Sequence, residues 1–253
     1  MNSYPSIVPS FFKLTETEST NQYCKERSSL LPNGAVVYTF SQTGGRGSKG
    51  RIWTCAPSKG LALSVLIRNI PAAALSPLPL VMGLSAAETL QKSGFPVMLK
   101  WPNDLLLYGK KVSGLLCEGE WQGENGNVVC GIGLNLLQSA EELLQANLPF
   151  AGSLFSLTGN ILPVNDWIPT FASRFLKDYQ TLCSKGFAPF YQAYCERCVT
   201  LGKTVRIRRD GTTKTGKAVS IAPDGRLVCQ SEETTFLIHQ SDPALLNLYP
   251  ELK

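Results

Sequence analysis

The sequence carries one histidine, His239, in 253 residues. Ser-His-Asp or Cys-His nucleophilic catalysis would have to rest on this one residue, and so would a histidine-rich metal site. It ends the run Phe236-Leu237-Ile238-His239, which reads as a strand end, and so as an ordinary surface or half-buried side chain. Charge is also sparse. Asp, Glu, Lys and Arg make up 17% of the chain, below the usual quarter, so the surface is not a dense charge network. The net charge of +5 suits an anionic ligand but is too small to argue for nucleic-acid binding. Met1-Asn2-Ser3-Tyr4-Pro5 lacks the charged and apolar regions of a secretory signal. The most apolar stretch, Leu75 to Leu84, is short and broken by Pro77 and Pro79, which argues against a membrane span. No internal repeat or low-complexity tract is visible.

Eight cysteines are present, at irregular spacing. Without a secretory signal they read as reduced thiols of a cytoplasmic protein. Cys195 and Cys198 have C-x-x-C spacing, but a zinc site needs four ligands and there is no second such pair. The length fits one large domain, or one domain with a small module.

Ser19-Thr20-Asn21 offers an N-cap to a helix over Gln22 to Leu31, stopped by Pro32-Asn33-Gly34. Ala35 to Ser41 and Leu61 to Arg68 read as strands. Ser76 to Gly94 reads as a helix with Leu80, Leu84, Ala87 and Leu90 on one face. Phe95 to Trp101, Leu105 to Tyr108, Val112 to Glu118 and Val128 to Leu134 are strand-like, the last three forming a meander around a polar Gln122 to Asn127 tip. Asn165-Asp166 is placed to cap a helix with the apolar stripe Ile168, Phe171, Phe175, Tyr179 and Leu182. A further helical stretch covers Ala188 to Cys198. From Leu201 onward short strands alternate with turns at Asp210-Gly211 and Pro223-Asp224-Gly225, an all-β module of small-barrel size.

Three segments can carry chemistry. Gly45-Arg46-Gly47-Ser48-Lys49-Gly50-Arg51 matches G-x-G-x-x-G literally. However, Pro57 and Gly60 work against the helix that a dinucleotide fold needs, and no Lys-Ser/Thr follows for a Walker loop. The loop either cradles an anion with its backbone N–H groups and cations or is simply solvated. Lys100-Trp101-Pro102-Asn103-Asp104 ends an apolar strand in a lysine whose charge needs a partner. Its Asn103 and Asp104 are turn formers or ligands of a Mg²⁺ that bridges nucleotide phosphates. Gly131-Ile132-Gly133-Leu134-Asn135 strips one face of a strand, admitting a flat ligand or another backbone, or packing tightly under a helix.

Together with Glu18-Ser19-Thr20-Asn21, Gln42-Thr43-Gly44-Gly45-Arg46-Gly47 and Lys111-Val112-Ser113-Gly114, these segments occur in an order and at gaps that resemble the biotin protein ligases. The resemblance covers Ser19 to Asn135, and the module from Leu201 resembles the family's C-terminal domain. It implies an α+β fold: a central mixed β-sheet with packed helices, related to class II aminoacyl-tRNA synthetases, over residues 1–198. An SH3-like β-barrel would follow over residues 199–253.

It further implies a ligase that forms biotinyl-5′-AMP from biotin and ATP, with Mg²⁺, and then biotinylates a lysine of a biotin carboxyl carrier protein. The resemblance places Ser19, Thr20, Asn21, Gln42, Arg46, Gly47, Ser48, Lys111, Gly114, Gly131 and Gly133 around biotin. It places Lys49, Arg51, Trp53, Lys100, Asn103 and Asn135 toward ATP, with Asp104 at the metal. Arg46, Lys100 and Lys111 would be the catalytic cations. Such a reaction needs no protein nucleophile, in keeping with one histidine. Relatives of this kind are often homodimers.

The first motif starts at Glu18, from which the monofunctional type without a DNA-binding domain is expected, and neither nucleic acid nor membrane is an expected partner. Many members carry arginine where this chain has Ser48, so retention of the adenylate is expected to rest on other groups, Lys49 among them. A lipoate or octanoate ligase on the same scaffold is the alternative, but the chain has no Arg-Arg-Gly-Gly-Gly run.

Overall fold

A computed structural model describes residues 6–54, 56–122, 125–209, 212–232, 234–240, 242 and 245–246. For residues 49, 122, 125, 208, 209, 245 and 246 it describes the backbone alone. The expected turn at Asp210-Gly211 and Gly123-Glu124 of the polar tip lie outside the described residues. In chain order the first elements are β1 (Ser10–Lys13), α1 (Thr20–Glu26), β2 (Ala35–Thr39), β3 (Gly60–Pro71), α2 (Ala72–Leu75) and α3 (Leu78–Lys92). Next come β4 (Met98–Lys100), β5 (Asp104–Leu107), β6 (Lys110–Gln122) and β7 (Asn125–Asn135). Four helices follow: α4 (Ala140–Gln145), α5 (Leu154–Thr158), α6 (Val164–Lys185) and α7 (Tyr191–Arg197). The last strands are β8 (Thr204–Arg209), β9 (Thr212–Ile221), β10 (Leu227–Gln230), β11 (Thr235–Ile238) and β12 (Leu245–Leu246).

The first seven strands form one sheet in the order β1-β2-β3-β7-β6-β5-β4. The β1–β2 pair is parallel and the other neighbours are antiparallel, giving the mixed sheet that the resemblance implies. Side chains alternate between faces along each strand. On one face Leu63, Val65 and Ile67 of β3 are fully buried in the main core with Leu80, Leu84 and Ala87 of α3 and Phe171 and Phe175 of α6. The rings of Trp167, Phe171 and Phe175 stack in succession, at 4.8 Å and 6.0 Å. Truncating Phe171, fully buried, would cost about 3–5 kcal/mol in transfer and cavity terms.

On the other face Val37, Leu66 and Val129 pack with Cys24 of α1 in a smaller cluster. Next to it the floor becomes polar and thin. Ser64 and Ala62 of β3 stand opposite Gly131 and Gly133 of β7, which in turn face Leu116 and Gly114 of β6.

The second sheet, β11-β10-β9-β8-β12, is antiparallel and occupies the position expected of the small β module. Trp101, 1% exposed, ties it to the first: its indole Nε1 donates to the Gly225 carbonyl at 2.9 Å and its backbone N–H to Thr200 Oγ1 at 3.0 Å.

Several expected boundaries differ. Ser19 is the N-cap of α1, as read, but the helix begins at Thr20 and ends at Glu26 rather than Leu31. Asn165 and Asp166 do not cap α6. The helix starts at Val164 with Pro163 at the cap and no capping side chain, so both lie in its first turn. There Asp166 still complements the helix dipole. The stretch from Ala188 splits into a 3₁₀ turn at Ala188–Phe190 and α7. The Cys195/Cys198 pair sits at the end of α7, Cys198 buried. His239 follows β11 and is half-buried, as expected.

Candidate functional site

A cavity of about 410 Å³ opens on the polar part of the sheet face. Its floor follows from the glycines. A Cβ on Gly131 would lie 2.3 Å from Asn21 Oδ1, and one on Gly133 would lie 2.3 Å from Trp53 Cε2. Side chains there would push away the Asn21 amide and the Trp53 indole. The flat groups that the glycine-stripped strand accommodates thus include two of the chain's own. Gly114 completes the arrangement: a Cβ on it would sit 3.1 Å from the same indole and 3.3 Å from Lys111 Nζ.

One wall is the N-terminal turn of α1. Ser19 Oγ accepts from the Gln22 N–H at 3.3 Å. The Thr20 N–H donates to Gln42 Oε1 at 2.9 Å. Asn21 Nδ2 donates to the Leu116 carbonyl at 3.1 Å and to Glu118 Oε2 at 2.8 Å. Behind them Ser64 Oγ lies 2.7 Å from Thr20 Oγ1 and 2.6 Å from Asn21 Oδ1.

The second wall is the glycine loop. Its ends are held together: the Trp53 N–H donates to the Gly45 carbonyl at 2.8 Å and the Gly47 N–H to the Arg51 carbonyl at 2.7 Å. Between them Ser48–Gly50 form a 3₁₀ turn. Arg51 is clasped back on that turn, Nε donating to the Ser48 carbonyl at 3.1 Å and an NH₂ group to Ser48 Oγ at 2.8 Å. Arg46 faces Glu18 at 3.9 Å, both side chains more than half exposed, an ion pair worth little in water.

The third wall carries the central charge. Lys111 Nζ lies 2.6 Å from Asp104 Oδ1 and 5.6 Å from the centre of the Trp53 ring. Its backbone is pinned on both sides, the Lys111 N–H donating to the Phe150 carbonyl at 2.8 Å and the Gly152 N–H to the Lys111 carbonyl at 2.9 Å. Lys100 Nζ stands 3.7 Å from Asp104 Oδ2, behind the wall. Burial pushes the Lys100 ammonium down to about 8; Asp104 opposes that shift, and the charges of Lys111 and Arg51 add to it.

All eleven residues expected around biotin line this one cavity, as do Arg51, Trp53, Asn103 and Asn135 from the group expected around ATP. Lys100 and Asp104 are not in the lining. The side chain of Lys49 lies outside the described residues. Asp104 does not fit the metal role: one oxygen is held by an ammonium at 2.6 Å and the other faces a second. No group of three or more His, Cys, Asp or Glu gathers anywhere among the described residues. A single carboxylate committed to lysines is a poor seat for a hard cation that takes oxygen ligands.

The sequence reading missed one stretch of the lining and one residue behind it. The stretch is Asn147 to Ala151, entered at Asn147 with a φ of 57° that asparagine tolerates. The residue is Ser64 beneath the floor, a hydroxyl in the otherwise apolar strand Leu61-Ala62-Leu63-Ser64-Val65-Leu66-Ile67. Its burial demanded a partner.

Residues 13–135 match the biotin/lipoate A/B protein ligase family, and residues 200–235 match the biotin protein ligase C-terminal domain. The chain is 32% identical over 241 residues to the biotin–[acetyl-CoA-carboxylase] ligase of Mycobacterium tuberculosis, spanning 90% of this chain and 86% of that one. It is 28% identical over 214 residues to the bifunctional ligase/repressor BirA of Bacillus subtilis, 83% of this chain, and spans 66% of that relative's length. Among solved structures, the biotin protein ligase from Aquifex aeolicus in complex with biotin and ATP superposes with a TM-score of 0.78. That pair shares 29% identity over 92% of this chain and 96% of the other.

Proposed function

The chain belongs to the biotin protein ligase family, and on that premise we propose that it activates biotin with ATP and transfers it to a lysine of a biotin carboxyl carrier domain. One observation carries the reading. The Lys111 ammonium stands at the cavity wall beside Gly114, with its backbone fixed on both sides and Asp104 as its counter-ion. A fixed cation above a glycine floor suits a reaction in which two anions must meet.

In the first step a biotin carboxylate oxygen attacks the α-phosphorus of ATP. The new O–P bond forms as the bond to the β-phosphate bridging oxygen breaks, and pyrophosphate leaves with that electron pair. Lys111 and the loop cations Arg46 and Arg51 offset the charge that builds on the α-phosphate. In the second step the neutral ε-amine of the carrier lysine attacks the acyl carbon. The C–O bond to phosphate breaks, AMP leaves, and the amine proton passes to solvent. Mg²⁺ enters as part of the substrate, bound to the triphosphate. Lys100, behind Asp104, acts by holding that carboxylate rather than by touching substrate.

We place the catalytic part in residues 1–198 and the β module in residues 199–253, with a protein carrier rather than nucleic acid or membrane as partner and the cytoplasm as compartment. No helix among the described residues is long and apolar enough to cross a membrane. The β4 edge of the main sheet is met by the Val199 N–H donating to the Leu99 carbonyl. A homodimer joined through a sheet edge would therefore use β1, and sedimentation equilibrium reads it. The test of the first step is ATP–pyrophosphate exchange. It should depend on biotin and fail with lipoate; exchange driven by lipoate and not by biotin would make this a lipoate ligase.

A further inference from the structure

We infer that Ser64 and Glu118, neither of which lines the cavity, are positioning residues that turn Thr20 and Asn21 into hydrogen-bond acceptors for the ureido N–H groups of the ligand. The inference rests on the ligase reading of the cavity and follows from counting protons. Glu118 Oε2 and the Leu116 carbonyl can only accept. The Asn21 amide therefore has to present its nitrogen to them, and both of its N–H bonds are used, at 2.8 Å and 3.1 Å. Glu118 is itself held by Lys25 Nζ at 2.5 Å. Asn21 is left with only its carbonyl oxygen to offer.

That oxygen receives the Ser64 hydroxyl at 2.6 Å. Ser64 has one proton and is fully buried, so the proton goes to Asn21 Oδ1, which has none to give back. The 2.7 Å contact between Ser64 Oγ and Thr20 Oγ1 must then be made by the proton of Thr20. The rival acceptor for that proton, Gln42 Oε1, is 3.4 Å away and already takes the Thr20 N–H. Either destination keeps the Thr20 proton inside the protein. Thr20 and Asn21 both line the cavity. The order Glu118, Asn21, Ser64, Thr20 thus leaves lone pairs of both facing a ligand. A ureido ring, with two N–H donors on adjacent edges, is complementary to such a pair. A ring bearing oxygen in place of one nitrogen would set two lone pairs against each other.

The test uses the full chain and isothermal titration with biotin, with ATP, and with the cyclic carbamate analogue in which one ureido N–H is replaced by oxygen. The wild type should prefer biotin to the carbamate by about tenfold or more, the value of one buried hydrogen bond lost. Ser64→Ala frees the Thr20 hydroxyl to donate. It should weaken biotin about tenfold, leave ATP affinity unchanged, and bring the biotin-to-carbamate ratio close to one. Glu118→Ala should move the ratio in the same direction, and Glu118→Gln, which keeps an acceptor oxygen, should restore it. An unchanged ratio in Ser64→Ala overturns the inference, as do equal losses of biotin and ATP affinity. If Ser64→Ala does not fold, the two Glu118 variants decide by the same ratio. A wild type that does not bind biotin overturns the ligase reading itself, and this inference with it.

Discussion

Replacing Lys111 with alanine separates the catalytic charge from the ion pair that holds it. Two costs follow from the structure. Adenylation loses a fixed cation beside the reacting centre, a loss of about 3–4 kcal/mol in the barrier, or two to three decades in rate. Folding loses the partner of Asp104, whose side chain is only 11% exposed. Stranding one member of a buried pair costs about 3–5 kcal/mol, and Lys100 at 3.7 Å keeps this case at the lower end. With Lys111 gone, one of the charges that depress Lys100 is gone too, so Lys100 stays protonated to higher pH and takes over part of the pairing. Lys111→Ala should therefore lose about 3 kcal/mol of stability in urea titrations, while exchange of pyrophosphate falls by about two decades or more. Exchange within tenfold of wild type in Lys111→Ala would mean that the Lys111 charge does not stabilise the transition state.

Three further outcomes are expected. Gly133→Ala puts a methyl 2.3 Å from the Trp53 indole; the ring must leave the floor, so ligand protection of Trp53 fluorescence should vanish with little change in melting temperature, and an unchanged quench would contradict the packing described. Ser48→Arg adds a guanidinium to the loop but removes the hydroxyl that Arg51 grips at 2.8 Å. Two mobile guanidiniums can then reach the phosphate, so labelled biotinyl-AMP should escape more slowly, and equal or faster escape would assign retention to other residues. Lys100 titrates near 8 in the fold against 10.5 unfolded. The depressed value is a stability penalty fully present below pH 8 and relieved as pH rises toward 10.5, by about 3 kcal/mol at most. Wild type should gain stability against Lys100→Met between pH 7.5 and 10, and parallel pH profiles would contradict the assigned burial.

The residues in and behind the cavity walls were legible because they are the costly ones. Glycines at alternate strand positions, a lysine at a strand end and a cluster of cations in a glycine loop all break local preference, and a fold retains such breaks where chemistry needs them. The Ser19 cap was legible for the same local reason. What sequence could not assign was depth. Lys100 and Lys111 look alike in the chain, yet the registers of β5 against β4 and against β6 set Asp104 between them, leaving Lys111 on the cavity and Lys100 behind it. The carboxylate that looked free for a metal is consumed by that pairing. β1 escaped notice because four residues, half of them exposed, carry no periodic signal. The Asn147 to Ala151 wall escaped because its pairing to Lys111 is a tertiary contact with no local trace.

The proposed reaction transfers biotin through an enzyme-made adenylate. Its most direct test is the intact mass of a biotin carboxyl carrier domain incubated with the full chain, biotin and ATP. The carrier should gain one biotinyl group, a gain absent without ATP, absent with lipoate in place of biotin, and absent when the carrier's acceptor lysine is arginine. A carrier of unchanged mass in the complete mixture, from enzyme that is folded and binds biotin, would contradict it.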